Sequence, residues 1–92
     1  MEFDYCEMDW NEEQHVLQVN VGCRFADEPE ELYVIVFDIP EEGSVKNMHL
    51  MFNGMDCKYA FKEAETAAIL HYVQEAAAST EYAERMRGAF LI

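Results

Sequence analysis

Residues 15–25 read HVLQVNVGCRF, and apolar and polar side chains alternate along this stretch. Because successive side chains of a β-strand point to opposite faces of a sheet, the pattern predicts a strand with one buried and one solvated face. At about 3.3 Å per residue this strand is roughly 35 Å long, which is long for a small domain. The apolar face is predicted to carry His15, Leu17, Val19, Val21, Cys23 and Phe25.

Two further strands are predicted beside this one. Residues 32–39, LYVIVFDI, are apolar on both faces and rich in β-branched and aromatic side chains, which favours a central strand. Residues 26–31, with Pro29 and four acids, are expected to link it to the first strand, and residues 40–44 to form the next turn. Residues 1–10 alternate with a change of phase, which predicts an edge strand with a bulge near residues 5–7.

A hairpin is predicted over residues 46–61. Asn53-Gly54 is typical of a two-residue type I′ turn, because both central residues of that turn need a positive φ. The alternative ends the strand at Phe52 and leaves residues 53–61 as a loop. The turn would pair Phe52 with Met55, Leu50 with Cys57 and Met48 with Tyr59 on one face, and Met51 with Asp56 and His49 with Lys58 on the other.

From Lys62 the apolar spacing changes to three and four residues, which predicts a helix. Ser79 or Thr80 is expected to break it and cap a second helix, with Gly88 as its stop. The predicted fold class is α+β: an antiparallel β-meander of four to five strands, followed by one or two C-terminal helices packed on one sheet face. The apolar stripe of the helix would consist of Ala64, Ala68, Ile69, Tyr72, Val73 and Ala76.

Charge is the most unusual feature of the composition. The 92 residues, which we expect to form a single acidic domain over 1–92, carry a formal net charge of −13. Residues 1–45 hold thirteen Asp and Glu against one cation, Arg24, whereas residues 46–92 hold six acids against five cations. Nearly all of the excess therefore belongs to one half of the domain, and such self-repulsion destabilises a compact state.

The sequence predicts an intracellular, cytoplasmic protein with no membrane partner. No stretch is long and apolar enough to cross a bilayer, and the N-terminus is acidic, whereas a secretory signal begins with a basic segment. The three cysteines, Cys6, Cys23 and Cys57, are expected to be free and mostly buried thiols, with Cys57 facing the core beside Leu50.

The meander should gather the acids at its two ends, because alternate turns lie at the same end of a sheet. Asp9, Glu12 and Glu13 of the first turn would then lie near the acids of the third turn, and those of the second turn at the opposite end. Trp10, among these acids, is either an interface residue or part of the core edge. Asp38 is a further acid of the third turn. The predicted partner-binding residues are Asp9, Trp10, Glu12, Glu13, Asp27, Glu28, Glu30, Glu31, Glu41 and Glu42.

No residue pattern indicates catalysis, a metal or a cofactor. The three histidines and three cysteines lack the short paired spacing of a zinc site, and the four glycines are too far apart for a phosphate-binding loop. A Cys57–His pair would be a nucleophile design, but a small apolar role for Cys57 in the core is favoured. Six unclustered cations also disfavour direct binding of nucleic acid. We therefore expect a non-enzymatic binding protein without metal or cofactor.

In size, charge and lack of a catalytic motif, the chain resembles the small acidic inhibitors made by phages and mobile elements, including DNA-mimic and some anti-CRISPR proteins. The resemblance covers the chain as a profile and carries over no family residues. It implies an inhibitor that presents an acidic, nucleic-acid-mimicking face to the basic cleft of a nucleic-acid-processing complex. The alternatives are a solvated acidic surface without such a role, and an assembly protein that homodimerises through an edge strand, the helix or the apolar tail 89–92.

Overall fold

The structure, a computed structural model, describes residues 1–41, 45–78 and 80–82. Five strands form one antiparallel sheet in the order β1-β2-β3-β4-β5, and a single helix follows them within the described residues. This confirms the predicted α+β meander with a C-terminal helix. The elements are β1 (Glu2–Asn11), β2 (Val16–Phe25), β3 (Glu28–Pro40), β4 (Lys46–Phe52), β5 (Met55–Asp56) and α1 (Glu63–Ala77).

The core lies between one face of the sheet and helix α1. Leu17, Val19 and Val21 of β2 stand opposite Ile39, Phe37 and Ile35 of β3, and all six side chains are buried. Burying such a side chain stabilises the fold by about 1.5–3 kcal/mol, so this apolar row holds the sheet and helix together. The helix contributes Ile69, Val73 and Ala77 to the same cluster.

Strand β1 has the predicted bulge, placed slightly earlier than expected. The register shifts between Phe3 and Tyr5, so Asp4 is the extra residue. Phe3 packs against the core, whereas Tyr5 lies on the opposite sheet face against Gly22 of β2. The phase change in the sequence therefore predicts the existence of the bulge but places it slightly too late in the strand.

The connection between β2 and β3 differs from the prediction. Strand β3 begins at Glu28, so the turn consists only of Ala26 and Asp27. Cys23 pairs with Tyr33, and Phe25 pairs with Glu28. The four residues 29–32 of β3 therefore stand opposite a single residue of β2, Arg24. Such a bulge leaves residues of the longer strand unpaired and bends it. At the other end of β2, His15 lies in the preceding turn with φ of 53° and is exposed, so its predicted place on the apolar face is wrong.

The predicted hairpin register is confirmed near its turn and fails beyond it. Phe52 pairs with Met55 and Met51 with Asp56, and the Cys57 N–H donates to the carbonyl of Leu50 at 2.8 Å. The Asp56 carboxylate then accepts a 2.7 Å hydrogen bond from the Lys58 N–H, and Lys58 has a positive φ of 53°. This local turn ends the strand, so the predicted pairings of Met48 with Tyr59 and of His49 with Lys58 are wrong.

Helix α1 begins as predicted but buries a narrower stripe. The side chain of Glu65 accepts a hydrogen bond from the Lys62 N–H at 2.9 Å, which satisfies a donor at the helix start. Ala64, Ala68 and Ala76 are exposed, so their predicted place in the apolar stripe is wrong. The described part of the chain contains no helix long and apolar enough to cross a membrane. The predicted second helix and its Gly88 stop, like the tail 89–92, lie outside the described residues.

Candidate partner-binding surface

The first acidic end of the sheet is assembled by strand register. Asn11, Val16 and Pro40 are neighbours across β1, β2 and β3, so the turn over residues 12–15 and Glu41 lie at the same end. Asp9 and Asp38 lie two rows further in, on either side of Gln18, and belong to strands rather than turns. Glu42 lies outside the described residues. We call this group the first acidic end, and its described members are Asp9, Glu12, Glu13, Asp38 and Glu41.

The second acidic end lies at the opposite end of the same strands. Glu2 pairs with Arg24, and Phe25 pairs with Glu28, so the start of β1 and the β2–β3 turn are neighbours. The bulge over residues 29–32 adds acids beside the turn. The members of the second acidic end are Glu2, Asp4, Asp27, Glu28, Glu30 and Glu31. The four that the sequence predicted as partner-binding, Asp27, Glu28, Glu30 and Glu31, are all exposed.

Few of these carboxylates are neutralised. Within residues 1–41, 45–78 and 80–82, one ion pair joins a Lys or Arg side chain to a carboxylate. It connects Arg24 Nε to Asp4 Oδ2 at 2.8 Å. A second pair joins His71 to Glu75 at 3.3 Å on the helix, and it carries charge only when the histidine is protonated. Arg24 also donates to the Pro29 carbonyl at 3.2 Å, so its guanidinium is held by the chain itself. The eight described acids predicted as partner-binding are exposed and outside these pairs.

An aromatic pocket of about 370 Å³ opens at the second acidic end. Phe25, Tyr33 and Tyr59 form its aromatic walls, and Asp27 and Glu28 contribute carboxylates. The ring centroids of Phe25 and Tyr33 are 5.2 Å apart with planes at 80°, and those of Phe25 and Tyr59 are 5.8 Å apart. We call this the aromatic–acidic pocket. The remaining lining residues are Leu50 and Cys57.

The sequence analysis identified the carboxylates of this pocket and missed its rings. Phe25 and Tyr33 flank the acidic turn on the apolar face of the β2–β3 hairpin, and that position was the available signal. Tyr59 comes from the segment after β5, whose path depends on the local turn at Lys58. Its approach to Phe25 follows from tertiary structure and has no local signal in the sequence.

Two tyrosine–carboxylate hydrogen bonds fix side chains in and beside the pocket. The Tyr33 hydroxyl donates to Glu28 Oε2 at 2.8 Å, and this bond raises the pKa of Tyr33 to about 12. The Tyr59 hydroxyl donates to Glu65 Oε2 at 2.5 Å, which raises the pKa of Tyr59 and lowers that of Glu65. In both pairs the carboxylate stabilises the protonated phenol. The pocket walls are therefore tied to the acidic turn on one side and to helix α1 on the other.

Trp10 packs against the core, whereas Cys57 is exposed. Trp10 is half-buried against the core, with its ring centroid 6.3 Å from that of His15. Of its two predicted placements the core edge is the one observed, and its role in partner binding stays a prediction. Cys57 is exposed and lines the aromatic–acidic pocket, so its predicted place in the core is wrong. Its strand ends at Asp56, and the side chain no longer follows the sheet register.

No protein-family model, curated protein or solved structure matches this chain. In the part of the chain that the structure describes, no group of three or more His, Cys, Asp and Glu side chains is arranged to hold a metal ion. The candidate partner-binding surface therefore consists of the two acidic ends and the aromatic–acidic pocket.

Proposed function

We propose that this protein is a non-enzymatic inhibitor or binding module. Its acidic ends occupy the basic cleft of a nucleic-acid-binding protein or complex in place of nucleic acid, as an anti-CRISPR-like inhibitor in the cytoplasm would. The observation that carries the proposal is the pair of exposed acidic ends, since a single Lys or Arg ion pair, Arg24–Asp4, neutralises a carboxylate among the described residues.

The charge density of the chain is of the order found in nucleic acid. The described part of the chain is 35 Å in its longest dimension. A DNA duplex of that length carries about 20 phosphate charges, of which a protein cleft contacts only part. The N-terminal half of this chain holds thirteen Asp and Glu. A cleft built to contact phosphates along such a length would therefore meet a comparable number of negative groups.

The sheet provides a rigid spacing between the two ends. Strands β1, β2 and β3 connect the two ends and are paired along most of their length. A preorganised array of charges loses little conformational entropy on binding, and it attracts an oppositely charged cleft over long distances. The association rate should therefore be high at low salt and should fall as the ionic strength rises.

The proposal is tested by capture on the immobilised chain from a lysate of a candidate host, with identification by mass spectrometry. The wild-type chain should retain nucleic-acid-binding proteins that are released by added DNA or RNA and by salt. The Glu30→Lys/Glu31→Lys variant should lose them, because it reverses two charges of the second acidic end.

A matched control keeps the same change of net charge elsewhere. Glu75→Lys/Glu81→Lys alters two acids of the C-terminal half, and it should retain the same proteins as the wild type. Equal losses in both variants would show that net charge alone is responsible. Unchanged capture by the Glu30→Lys/Glu31→Lys variant, with unchanged salt release, would refute the mimicry.

A further inference from the structure

We propose that the aromatic–acidic pocket receives an arginine side chain of the basic partner. The inference rests on the proposed function for the identity of that partner, and on the geometry of the pocket for the chemistry of the group it binds. The pocket joins three aromatic rings and two carboxylates in one open cavity of about 370 Å³. Both kinds of wall attract an organic cation.

The rings form a corner rather than a flat surface. Phe25 and Tyr33 meet at 80°, and Tyr59 approaches Phe25 with an interplanar angle of 51°. The face of an aromatic ring carries negative charge density and attracts a cation within about 6 Å of its centroid. A cation that enters this corner thus meets more than one ring, while the apolar side chain of Leu50 lines the pocket beside them.

The carboxylates make the pocket selective for charge. Asp27 occupies the two-residue turn and Glu28 begins strand β3, so both border the rings. Glu28 accepts a hydrogen bond from Tyr33 through one oxygen, Oε2. A carboxylate has two oxygens with several acceptor sites, so Glu28 keeps the capacity to accept from a guanidinium. Glu30 and Glu31 extend the negative surface along the adjoining groove.

A guanidinium fits this combination better than an ammonium group. It is planar and weakly hydrated, it stacks on aromatic faces, and its N–H groups form a fork that matches a carboxylate. Nucleic-acid-binding clefts are rich in such side chains, because they contact phosphates. The pocket would therefore anchor one arginine of a cleft whose other cations face the acidic ends.

The probe for the test is N-acetyl-arginine amide, titrated into the ¹⁵N-labelled chain and followed by amide chemical shifts. Shifts should concentrate at Phe25, Asp27, Tyr33, Cys57 and Tyr59. N-acetyl-citrulline amide has nearly the same shape without the charge, and it should bind about tenfold more weakly, since cation–π and ion-pair contacts together amount to roughly that factor. Equal binding of the two probes would overturn the proposal. So would binding of choline with no binding of the arginine probe, which would assign the pocket to quaternary ammonium compounds.

Variants distinguish the contribution of the pocket residues to arginine binding from that of the net charge. Asp27→Asn/Glu28→Gln should weaken binding of the arginine probe about tenfold, whereas Glu12→Gln/Glu13→Gln, with the same change of net charge at the first acidic end, should leave it unchanged. Phe25→Leu should weaken it several-fold, and retained amide dispersion checks that this variant folds. A second readout is the alkylation rate of Cys57, which the bound arginine probe should slow and the citrulline probe should not.

The two proposals fail separately. If the arginine probe binds the pocket but reversal of Glu30 and Glu31 leaves capture unchanged, the pocket stands and the mimicry falls. If the probe does not bind while that reversal abolishes capture, the mimicry stands and the arginine pocket falls.

Discussion

Cys57 is the most accessible thiol of the molecule. All three cysteines lie in the described residues; Cys57 is exposed, Cys6 is half-buried and Cys23 is buried. Burial, with a smaller contribution from Glu7, raises the pKa of the Cys6 thiol to about 11, and burial is likewise the main reason that the pKa of Cys23 is about 11. Because the thiolate is the reactive form, the two other cysteines should react slowly at neutral pH.

Brief treatment with iodoacetamide at neutral pH should therefore modify one thiol per folded chain. Peptide mapping by mass spectrometry should place the label on Cys57, and Cys57→Ser should remove it. Under denaturing conditions all three cysteines should react. Rapid labelling of Cys23 in the folded chain would contradict the observed burial.

The Tyr33–Glu28 hydrogen bond has a direct spectroscopic consequence. Glu28 accepts a hydrogen bond from the Tyr33 hydroxyl, and its negative charge disfavours the phenolate. The pKa of Tyr33 is therefore raised to about 12. Glu28→Gln should lower the pKa of Tyr33 toward its ordinary value of about 10, because the negative charge is lost. The ultraviolet absorbance of phenolate during an alkaline titration measures this. Glu13→Gln is the control, and an identical titration of the Glu28→Gln variant and the wild type would contradict the bond.

Between β1 and β2, Tyr5 and Gly22 form an interlocking pair. A Cβ atom at Gly22 would lie 2.2 Å from Cε2 of Tyr5, so Gly22→Ala must displace the ring. We expect a loss of about 1 kcal/mol in the free energy of unfolding. In a Tyr5→Ala background the same change should be neutral or stabilising, because glycine in a strand costs about 0.5–1 kcal/mol relative to alanine. Urea denaturation of the four proteins measures this coupling, and additive effects would exclude it.

At the start of helix α1, Glu65 joins two elements through its carboxylate. It accepts from the Tyr59 hydroxyl and from the Lys62 N–H, and these bonds hold its pKa below the usual value. Glu65→Ala should destabilise the fold by about 1 kcal/mol at neutral pH through loss of the cap. Glu63→Gln, two residues earlier in the same helical turn, is the control and should have little effect on stability.

The pH dependence of Glu65 follows from the sign of its shift. A carboxyl whose pKa is lower in the folded state stabilises the fold above its unfolded pKa of about 4, and this contribution is lost as the pH falls through the folded value. The stability advantage of the wild type over Glu65→Gln should therefore shrink on acidification below about pH 4. A constant difference down to pH 3, on the order of one unit below that value, would contradict the lowered pKa.

The sequence predicted those elements whose patterns are local. The alternation of residues 15–25 identified β2, and Asn53-Gly54 identified the β4–β5 turn with the correct register beside it. The errors occur where tertiary contacts override local preference. Residues 28–31 are acidic and contain Pro29, which is typical of a turn, yet Glu28 pairs with Phe25 at the start of β3 and residues 29–32 form a bulge opposite Arg24. The end of β5 depends on one hydrogen bond that the Asp56 side chain accepts from the Lys58 N–H, which alternation cannot reveal.

At the scale of the whole molecule, the meander topology places the acidic residues on two surfaces, one at each end of the sheet. The order of a meander was enough to predict that the turns of residues 12–15 and 41 share one end, and the register confirms it. The aromatic–acidic pocket was not predicted, because Tyr59 reaches Phe25 only through the fold of residues 57–61. Exposed charge pairs contribute roughly 0–1 kcal/mol each, so the function proposed here depends on many acids acting together and on the ring-lined anchor among them.

Competition with nucleic acid tests the central claim most directly. A captured partner is loaded with a fluorescently labelled nucleic acid, and displacement by this protein is followed by fluorescence anisotropy. The account predicts complete displacement, weaker displacement as salt rises, and none by a variant with Glu12, Glu13, Glu30 and Glu31 changed to Lys. A stable ternary complex of partner, nucleic acid and this protein would contradict it.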